Sequence, residues 1–246
     1  MDNSLHESTF YLGTSACDVH GLWKVSSMME VLQCTANEHS SKMKRWYTDL
    51  KSLNLSLVLY KSCFKVERFA ALGESVTVRT YTKGVRSLFC PRYFIVYDED
   101  RKIIAKAGSL MILMDRSSRK SILPKKAGVE FPDAIDIEPS IKIPLRKKEI
   151  QGDPKVMYYQ PQYSDVDING HVNNVRYLEW LCNAIGFDLL NEYVIDEAVI
   201  DYNNEILPSD MIKMSLIIEK GKCPFRFYGQ KDNRLSFDIF GNLRLR

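Results

Sequence analysis

SDVDINGHVNNVRYLEW, at residues 164–180, places two aspartates, three asparagines, a glycine and a histidine directly before an apolar segment. The apolar residues that follow leave little polar circumference, which predicts a helix enclosed on most sides, as by a wrapping sheet. Asp and Asn often cap the first turn of a helix, and Gly accepts positive φ angles. Capping needs one such side chain rather than five, so the excess of hydrogen-bonding groups also indicates a functional site.

A weaker copy of this pattern occurs near the start of the chain. DVHGLW at residues 18–23 is similar to DINGHV at residues 167–172, and each opens a helical pattern that strand patterns follow. The strand patterns are ESVTVRTYT, LFCPRYFIVY and KIIAKAGSLMILM after the first copy, and EAVIDYNNEIL, MIKMSLIIEK, PFRFYGQ and LSFDIF after the second. We therefore predict an α+β fold of two units, residues 1–117 and 151–246, joined by a Pro- and Lys-rich linker at residues 118–150.

Composition excludes several classes of function. The 34 basic and 31 acidic residues nearly balance, which argues against nucleic-acid binding, and no apolar run reaches the roughly 18 residues that would predict membrane insertion. The six cysteines form no C-x-x-C pair and the polar N-terminus does not resemble a signal peptide, so we predict reduced thiols and a cytoplasmic location. The four histidines and six cysteines lack metal-ligand spacing, and we expect neither a metal nor another cofactor.

The beginning of the second predicted helix has the groups needed for chemistry at a carbonyl. Unpaired backbone N–H groups and the positive end of the helix dipole can stabilise an oxygen that gains negative charge, such as that of a thioester or ester. We expect His171 in the first turn of this helix. A histidine and carboxylates near the same point can orient attacking water or accept its proton.

The motif DVDINGHVNNVRYLEW, with IDYNNEIL at residues 200–207, resembles the signature of the acyl-acyl carrier protein (acyl-ACP) thioesterases. The resemblance is specific in the second half of the chain and more diffuse in the first. It implies two tandem hot-dog units, each a long helix wrapped by an antiparallel sheet, and hydrolysis of fatty acyl-ACP in fatty-acid biosynthesis. The implied catalytic residues are Asp167, Asn169, His171 and Glu205.

The family pattern has also been interpreted as containing a cysteine nucleophile directly after the glutamate. Ile206 occupies that position here, so the thiol mechanism is excluded at this site unless another cysteine replaces it. Cys182 is the nearest in sequence, but its mid-helix position favours a role as a small buried residue. We therefore expect attack by water, while direct attack by a carboxylate, through an anhydride, remains open.

The first unit is expected to be inactive because Leu22 replaces His171 and His20 replaces Asn169 in the weaker copy. Either Glu67 or Phe69 aligns with Glu205, depending on one gap. The resemblance implies that this unit holds much of the acyl chain. The candidate substrate-binding residues are Trp23, Met28, Met29 and Leu32 in the first unit, and Asn173 and Asn174 beside the motif.

The implied partner is an acyl carrier protein bearing a phosphopantetheine-linked acyl chain, and a homodimer is possible. Two basic runs, RSSRKSILPKK at residues 116–126 and PLRKKE at residues 144–149, could attract an acidic carrier. Two alternatives stay open: a hot-dog acyl-CoA thioesterase, and a hot-dog protein that binds acyl groups without catalysis.

Overall fold

The computed structural model describes residues 4–43, 47–145, 149–219 and 223–246. The chain divides into two compact units, Met1–Ile143 and Pro144–Arg246, which we call the N-terminal and C-terminal units. Each contains one main helix packed against an antiparallel sheet, so the predicted α+β fold is confirmed.

The sheet of the N-terminal unit contains five main strands in the order β1-β3-β4-β5-β2, and the short β6 pairs with β5. Two helices, α1 and α2, precede β2. The elements are β1 (Leu5–Tyr11), α1 (Val25–Lys42), α2 (Tyr47–Ser52), β2 (Leu55–Val66), β3 (Ser75–Thr82), β4 (Phe89–Tyr97), β5 (Ile103–Asp115) and β6 (Ser121–Ile122).

The main helix and the sheet of this unit bury complementary faces. Met28 and Leu32 lie one turn apart on α1 and are both buried. Val76 and Val78 alternate with more exposed residues along β3, which gives the strand one inward face. Buried residues thus recur about every 3.6 residues along α1 and every second residue along β3, which places the core between the helix and the sheet.

The C-terminal unit repeats this topology. Its strand order is β7-β9-β10-β11-β8, so in both units the order along the sheet is first, third, fourth, fifth and second strand of the unit. The elements are β7 (Lys155–Tyr159), α3 (Arg176–Ile185), α4 (Phe187–Glu192), β8 (Tyr193–Tyr202), β9 (Ile212–Ile218), β10 (Pro224–Lys231) and β11 (Arg234–Leu245). The repeat inferred from two short motifs is thus present in the whole fold.

Helix α3 is as enclosed as its composition predicts. Six of its ten residues are buried, and the ring of Tyr177 stacks on Phe237 of β11 at 4.6 Å between centroids. Phe225 and Phe227 point inward from β10 and are fully buried. This aromatic core fixes α3, and with it the residues directly before the helix.

Much of the segment expected to be a linker is part of the N-terminal unit. Residues 134–143, which we call the covering segment, lie against the sheet face opposite α1. Tyr81 and Tyr93 on that face form an apolar cluster with Ala134, Ile137, Ile141 and Ile143. Tyr81 also donates its hydroxyl to the Glu138 carbonyl at 2.7 Å. Part of the basic run PLRKKE, residues 146–148, lies outside the described residues.

The sequence predictions on membrane insertion and on the cysteines can be compared with the structure. None of the described helices combines the length and the apolar character that crossing a bilayer requires. All six cysteines lie in the described residues and carry free thiols.

Candidate active site

The DING motif forms a tight turn. The backbone N–H of Asp167 donates to the His171 carbonyl at 2.9 Å, and the N–H of Gly170 donates back to the Asp167 carbonyl at 3.0 Å. Gly170 has a φ of 79°, a conformation that glycine adopts without a steric penalty. The turn therefore brings the two ends of the motif, Asp167 and His171, together.

Asn169 orients the carboxylate of Asp167. Its backbone N–H donates to Oδ1 at 2.8 Å and its side-chain amide to Oδ2 at 3.2 Å. Asn169 itself is exposed, whereas Asp167 is half-buried. The two predicted catalytic residues thus form one unit, in which the amide fixes the direction of the carboxylate.

His171 precedes α3 by five residues, so its expected place in the first turn of the helix was wrong. The reason is that Asn173 forms a turn before the helix, whose N-cap is Val175. The side-chain Oδ1 of Asn173 accepts the N–H of Val175 at 3.2 Å and its carbonyl accepts the N–H of Arg176 at 2.9 Å. Asn174 is partly buried and lies in the turn between Asn173 and Val175. Its backbone N–H makes no hydrogen bond within the described residues.

Glu205 lies in a loop rather than in the predicted strand, because β8 ends at Tyr202. The next residue, Ile206, is fully buried, and its carbonyl accepts the backbone N–H of Val172 at 2.9 Å. This bond joins the two loops directly beside their functional side chains. The Nε2 of His171 consequently lies 3.4 Å from Oε2 of Glu205, with the two side chains 29% and 36% exposed.

Tyr177 lies within the motif that resembles the family signature, but it is not among the predicted catalytic or binding residues. Burial raises the pKa of its phenol above the ordinary value, and the charges of Tyr202, Glu205 and Asp167 raise it further. The phenol therefore stays protonated and lies within electrostatic range of both candidate carboxylates. A tyrosine at the start of a helix that is otherwise apolar was the available signal.

The thiols lie elsewhere in the fold. Ile206 occupies the position of the supposed cysteine nucleophile and is enclosed by the core. Cys182 lies in the second half of α3, where its carbonyl accepts the N–H of Gly186 at 3.0 Å. Neither position supports a nucleophile beside the imidazole of His171.

The N-terminal unit contains the same turn without the same side chains. The N–H of Asp18 donates to the Leu22 carbonyl at 2.8 Å, and the N–H of His20 donates to Oδ1 of Asp18 at 2.9 Å. These two bonds match those of Asp167, Asn169 and His171, whereas the side-chain bond from Asn169 to Oδ2 of Asp167 has no counterpart. The predicted replacements, Leu22 for His171 and His20 for Asn169, therefore hold in three dimensions.

The same comparison decides the residue equivalent to Glu205. Trp23 donates its backbone N–H to the carbonyl of Ala70 at 2.9 Å, as Val172 does to Ile206. Ala70 thus corresponds to Ile206, and Phe69 rather than Glu67 corresponds to Glu205. The N-terminal unit has neither the imidazole nor the carboxylate of the pair.

The expected acyl-binding residues lie in the interior of the N-terminal unit. Trp23, Met28 and Leu32 are buried, and Met29 is partly buried. Trp23 is only 4% exposed, yet its indole Nε1–H has no hydrogen-bond acceptor among the described residues. An unsatisfied buried donor costs about 1–3 kcal/mol, so this position favours a bound acceptor.

The partly exposed side chains of His171 and Glu205 can support acid–base chemistry. An imidazole and a carboxylate in contact can bind water and accept its proton, and a second carboxylate is fixed on the same loop. Across the described residues there is no cluster of three or more His, Cys, Asp or Glu side chains able to hold a metal ion.

Comparison with known protein families gives a consistent result for both units. The family model of the acyl-ACP thioesterase N-terminal domain matches residues 3–124, and that of the C-terminal domain matches residues 148–235. The motif of the candidate site therefore lies inside the region that matches the C-terminal domain.

Similar sequences include two plant proteins. The chloroplastic dodecanoyl-[acyl-carrier-protein] hydrolase of Cinnamomum camphora is 24% identical over 180 residues, covering 70% of this chain and 47% of the relative. The chloroplastic oleoyl-acyl carrier protein thioesterase of Coriandrum sativum is 23% identical, covering 66% and 47%. The chain spans about half the length of these relatives.

Similar solved structures share the fold over nearly the whole chain. An acyl-ACP thioesterase from Bacteroides thetaiotaomicron aligns with a TM-score of 0.88 at 24% identity, covering 98% of both chains. The 12:0-ACP thioesterase of Umbellularia californica aligns with a TM-score of 0.87 at 17% identity, again covering 98% of both. The tandem hot-dog architecture is thereby confirmed, and with both family models matched in order, the chain belongs to the acyl-ACP thioesterase family.

Proposed function

We propose that this protein hydrolyses the thioester of fatty acyl-ACP and releases the free fatty acid, ending chain elongation. The observation that supports this most directly is the contact between His171 Nε2 and Glu205 Oε2 at 3.4 Å within the family's motif. The named activities of the plant relatives supply the substrate class. The N-terminal unit lacks the pair, so we propose one active site in each chain.

In the proposed reaction, His171 and Glu205 position a water molecule and accept its proton as the water oxygen attacks the thioester carbonyl carbon. The C–S bond then breaks, and the leaving sulfur takes up a proton to become the thiol of the carrier. Asp167, held by Asn169, adjusts the pair electrostatically. Attack by a carboxylate through an anhydride would use the same residues and remains the competing mechanism.

The developing oxyanion needs donors that the fold does not already use. The N–H groups of Val175 and Arg176 donate to Asn173, whereas that of Asn174 makes no hydrogen bond within the described residues. We therefore assign oxyanion stabilisation to the backbone of Asn174 and a supporting role in shaping this turn to Asn173. One such donor contributes about 3–4 kcal/mol to transition-state stabilisation.

We propose further that the N-terminal unit holds the acyl chain, with Trp23, Met28, Met29 and Leu32 among the lining residues. Their burial and flexible thioethers suit an apolar ligand.

The carrier protein is the proposed partner. Basic residues of the run at residues 116–126 are exposed and could attract an acidic surface, namely Arg116, Arg119, Lys120, Lys125 and Lys126. A cytoplasmic location and a homodimer remain part of the proposal, the former because the thiols are free.

A direct assay separates this function from its rivals. Purified protein is incubated with acyl-ACP and with acyl-CoA of the same chain length, and free fatty acid is measured, with His171→Ala as the blank. Preference for acyl-ACP is expected. Equal or better turnover of acyl-CoA would favour the acyl-CoA thioesterase, and acyl binding without any release would favour a non-catalytic binding protein.

A further inference from the structure

Asp165 is a buried carboxylate just before the catalytic loop. Its side chain is part of a residue only 5% exposed, at the end of a short 3-10 helix, Tyr163–Asp165. Oδ2 accepts the hydroxyl of Tyr159 at 2.8 Å and the N–H of Gln162 at 2.7 Å, while Oδ1 accepts Nε1–H of Trp180 at 3.3 Å. These bonds link the loop to β7 on one side and to α3 on the other.

The carboxylate completes a capping box with Gln162 at this 3-10 helix, but the N-terminal unit forms the equivalent loop without one. Its equivalent 3-10 helix, Thr14–Ala16, ends in an alanine. The closing bond is nevertheless the same: Lys24 donates its N–H to the Ala16 carbonyl at 3.0 Å, and Asn173 donates its N–H to the Asp165 carbonyl at 2.8 Å. The same backbone hydrogen bond therefore closes the loop in both units, but only the C-terminal unit, which carries His171 and Glu205, has a carboxylate at this position.

Burying a carboxylate is costly, and its cost is only partly recovered by hydrogen bonds from neutral donors. Within the described residues Asp165 forms no ion pair with a lysine or arginine, unlike Asp238 in the same unit, which pairs with Arg226. A buried carboxylate without an ion pair among the described residues, which the equivalent loop of the N-terminal unit does without and which bonds to both β7 and α3, points to a role in function.

We propose that Asp165 is a positioning residue for catalysis. By fixing the loop to the side chains of Tyr159 and Trp180, it holds the segment that carries Asp167 and His171, so that His171 stays aligned with Glu205. This inference rests on the proposed hydrolytic function. Displacement of a catalytic group by about 1 Å can reduce the rate about 100-fold, so a loop that still folds can lose turnover when its anchor is removed.

The main test is Asp165→Asn, which keeps the size of the side chain and removes one carboxylate acceptor and the charge. We expect kcat to fall about 10- to 100-fold while KM changes less than about twofold, since substrate contacts remain. The matched control is Asp238→Asn, which alters a residue only 2% exposed in the same unit. It should lower Tm at least as much and leave kcat unchanged.

Trp180→Phe provides a second variant, which removes the donor to Oδ1 and leaves a smaller ring in the aromatic core. It should lower kcat several-fold in the wild-type background and have little further effect in the Asp165→Asn background, as expected of residues acting through one network. Normal kcat in Asp165→Asn, or independent multiplication of the two effects, would overturn the inference. A wild-type protein without thioesterase activity would instead contradict the proposed function itself.

Discussion

Val172 donates its backbone N–H to the carbonyl of Ile206 at 2.9 Å, and these two residues directly follow His171 and Glu205 in the chain. One backbone bond therefore sets the spacing of the candidate catalytic pair. The corresponding bond from Trp23 to Ala70 is present in the N-terminal unit, where the neighbouring side chains are Leu22 and Phe69. Both units therefore contain the backbone bond that brings these two loops together, but only the C-terminal unit has a histidine and a glutamate beside it.

The catalytic pair can be tested with His171→Ala and Glu205→Ala. We expect each variant to lower kcat about 10²- to 10⁴-fold, because each removes one of the groups that handle the proton of water. The double variant should be only slightly worse than either single one, since the two residues act together. Steady-state release of fatty acid from acyl-ACP measures this.

Glu67→Ala is the matched control for that experiment. Glu67 is a carboxylate near the equivalent loop of the N-terminal unit, but Phe69 takes the position of Glu205, so activity should be unchanged. A large loss in Glu67→Ala would mean that the first unit contributes a carboxylate. Near-normal turnover in Glu205→Ala would transfer water activation to Asp167.

The thiols should be dispensable and should react in a defined order. Burial raises the pKa of Cys63 to about 12 and that of Cys90 to about 12, so both stay protonated and unreactive at pH 8. Burial, together with Glu30 and Glu38, raises the pKa of Cys34, so we expect the exposed Cys223 to be alkylated first and Cys34 more slowly.

Mass spectrometry after iodoacetamide treatment measures this order, with a urea-unfolded sample as the reference for complete labelling. Protein labelled at Cys223 and Cys34 should retain its turnover, because neither thiol belongs to the proposed mechanism. Recovery of an acyl-cysteine adduct from protein during turnover would show that a thiol takes part after all.

Trp23→Phe separates a structural from a ligand-binding role of the indole N–H. Removing the unsatisfied donor is favourable, but the smaller ring leaves a cavity in the core, so a lower Tm is expected. If the substrate accepts that hydrogen bond, KM should rise about 3- to 10-fold, corresponding to about 1 kcal/mol of lost binding. A lower Tm with unchanged KM would indicate that Trp23 only packs the core.

Glu7 makes the stability of the N-terminal unit dependent on acid pH. The hydrogen bond from Arg101 lowers the pKa of Glu7 below 4.5, burial opposes this shift, and Arg79 lowers the pKa further. Since the folded-state pKa is the lower one, this contribution is present above pH 4.5 and is lost as the pH falls toward the folded value. Tm should therefore fall with acidification in this range.

The Glu7→Gln variant should have a lower Tm at neutral pH and a flatter dependence of Tm on pH below about 5. Glu67→Gln, an exposed carboxylate of the same unit, serves as the control and should follow the wild-type curve. Identical acid dependence of Glu7→Gln and wild type would rule out Glu7 as the source of the effect.

The sequence was sufficient to predict the two-unit α+β fold and the replacement of His171 and Asn169 by Leu22 and His20 in the first copy, because both follow from local patterns around two short motifs. It could not place the start of α3, because Asn173 and Asn174 are both good capping residues, whereas the bonds from Val175 and Arg176 to Asn173 form a turn and the helix begins only at Arg176. The choice between Glu67 and Phe69 likewise required the hydrogen bond from Trp23, which links residues far apart in the chain.

Asp165 and Tyr177 show a second limit of local patterns. Asp165 looks like one more capping residue, and Tyr177 like part of an apolar helix. Their significance depends on what surrounds them: Trp180 and Tyr159 around the former, and the carboxylates of Asp167 and Glu205 near the latter.

The covering segment determines where the chain can be divided for expression. A fragment ending at residue 117 would lack it and expose Tyr81 and Tyr93, which are almost fully buried in the intact chain. Such a fragment would expose an apolar aromatic surface and is expected to aggregate. Cutting after Ile143 instead keeps that surface covered. A recombinant N-terminal unit should therefore end at Ile143, where the compact unit ends, and not at residue 117, where the strand patterns end.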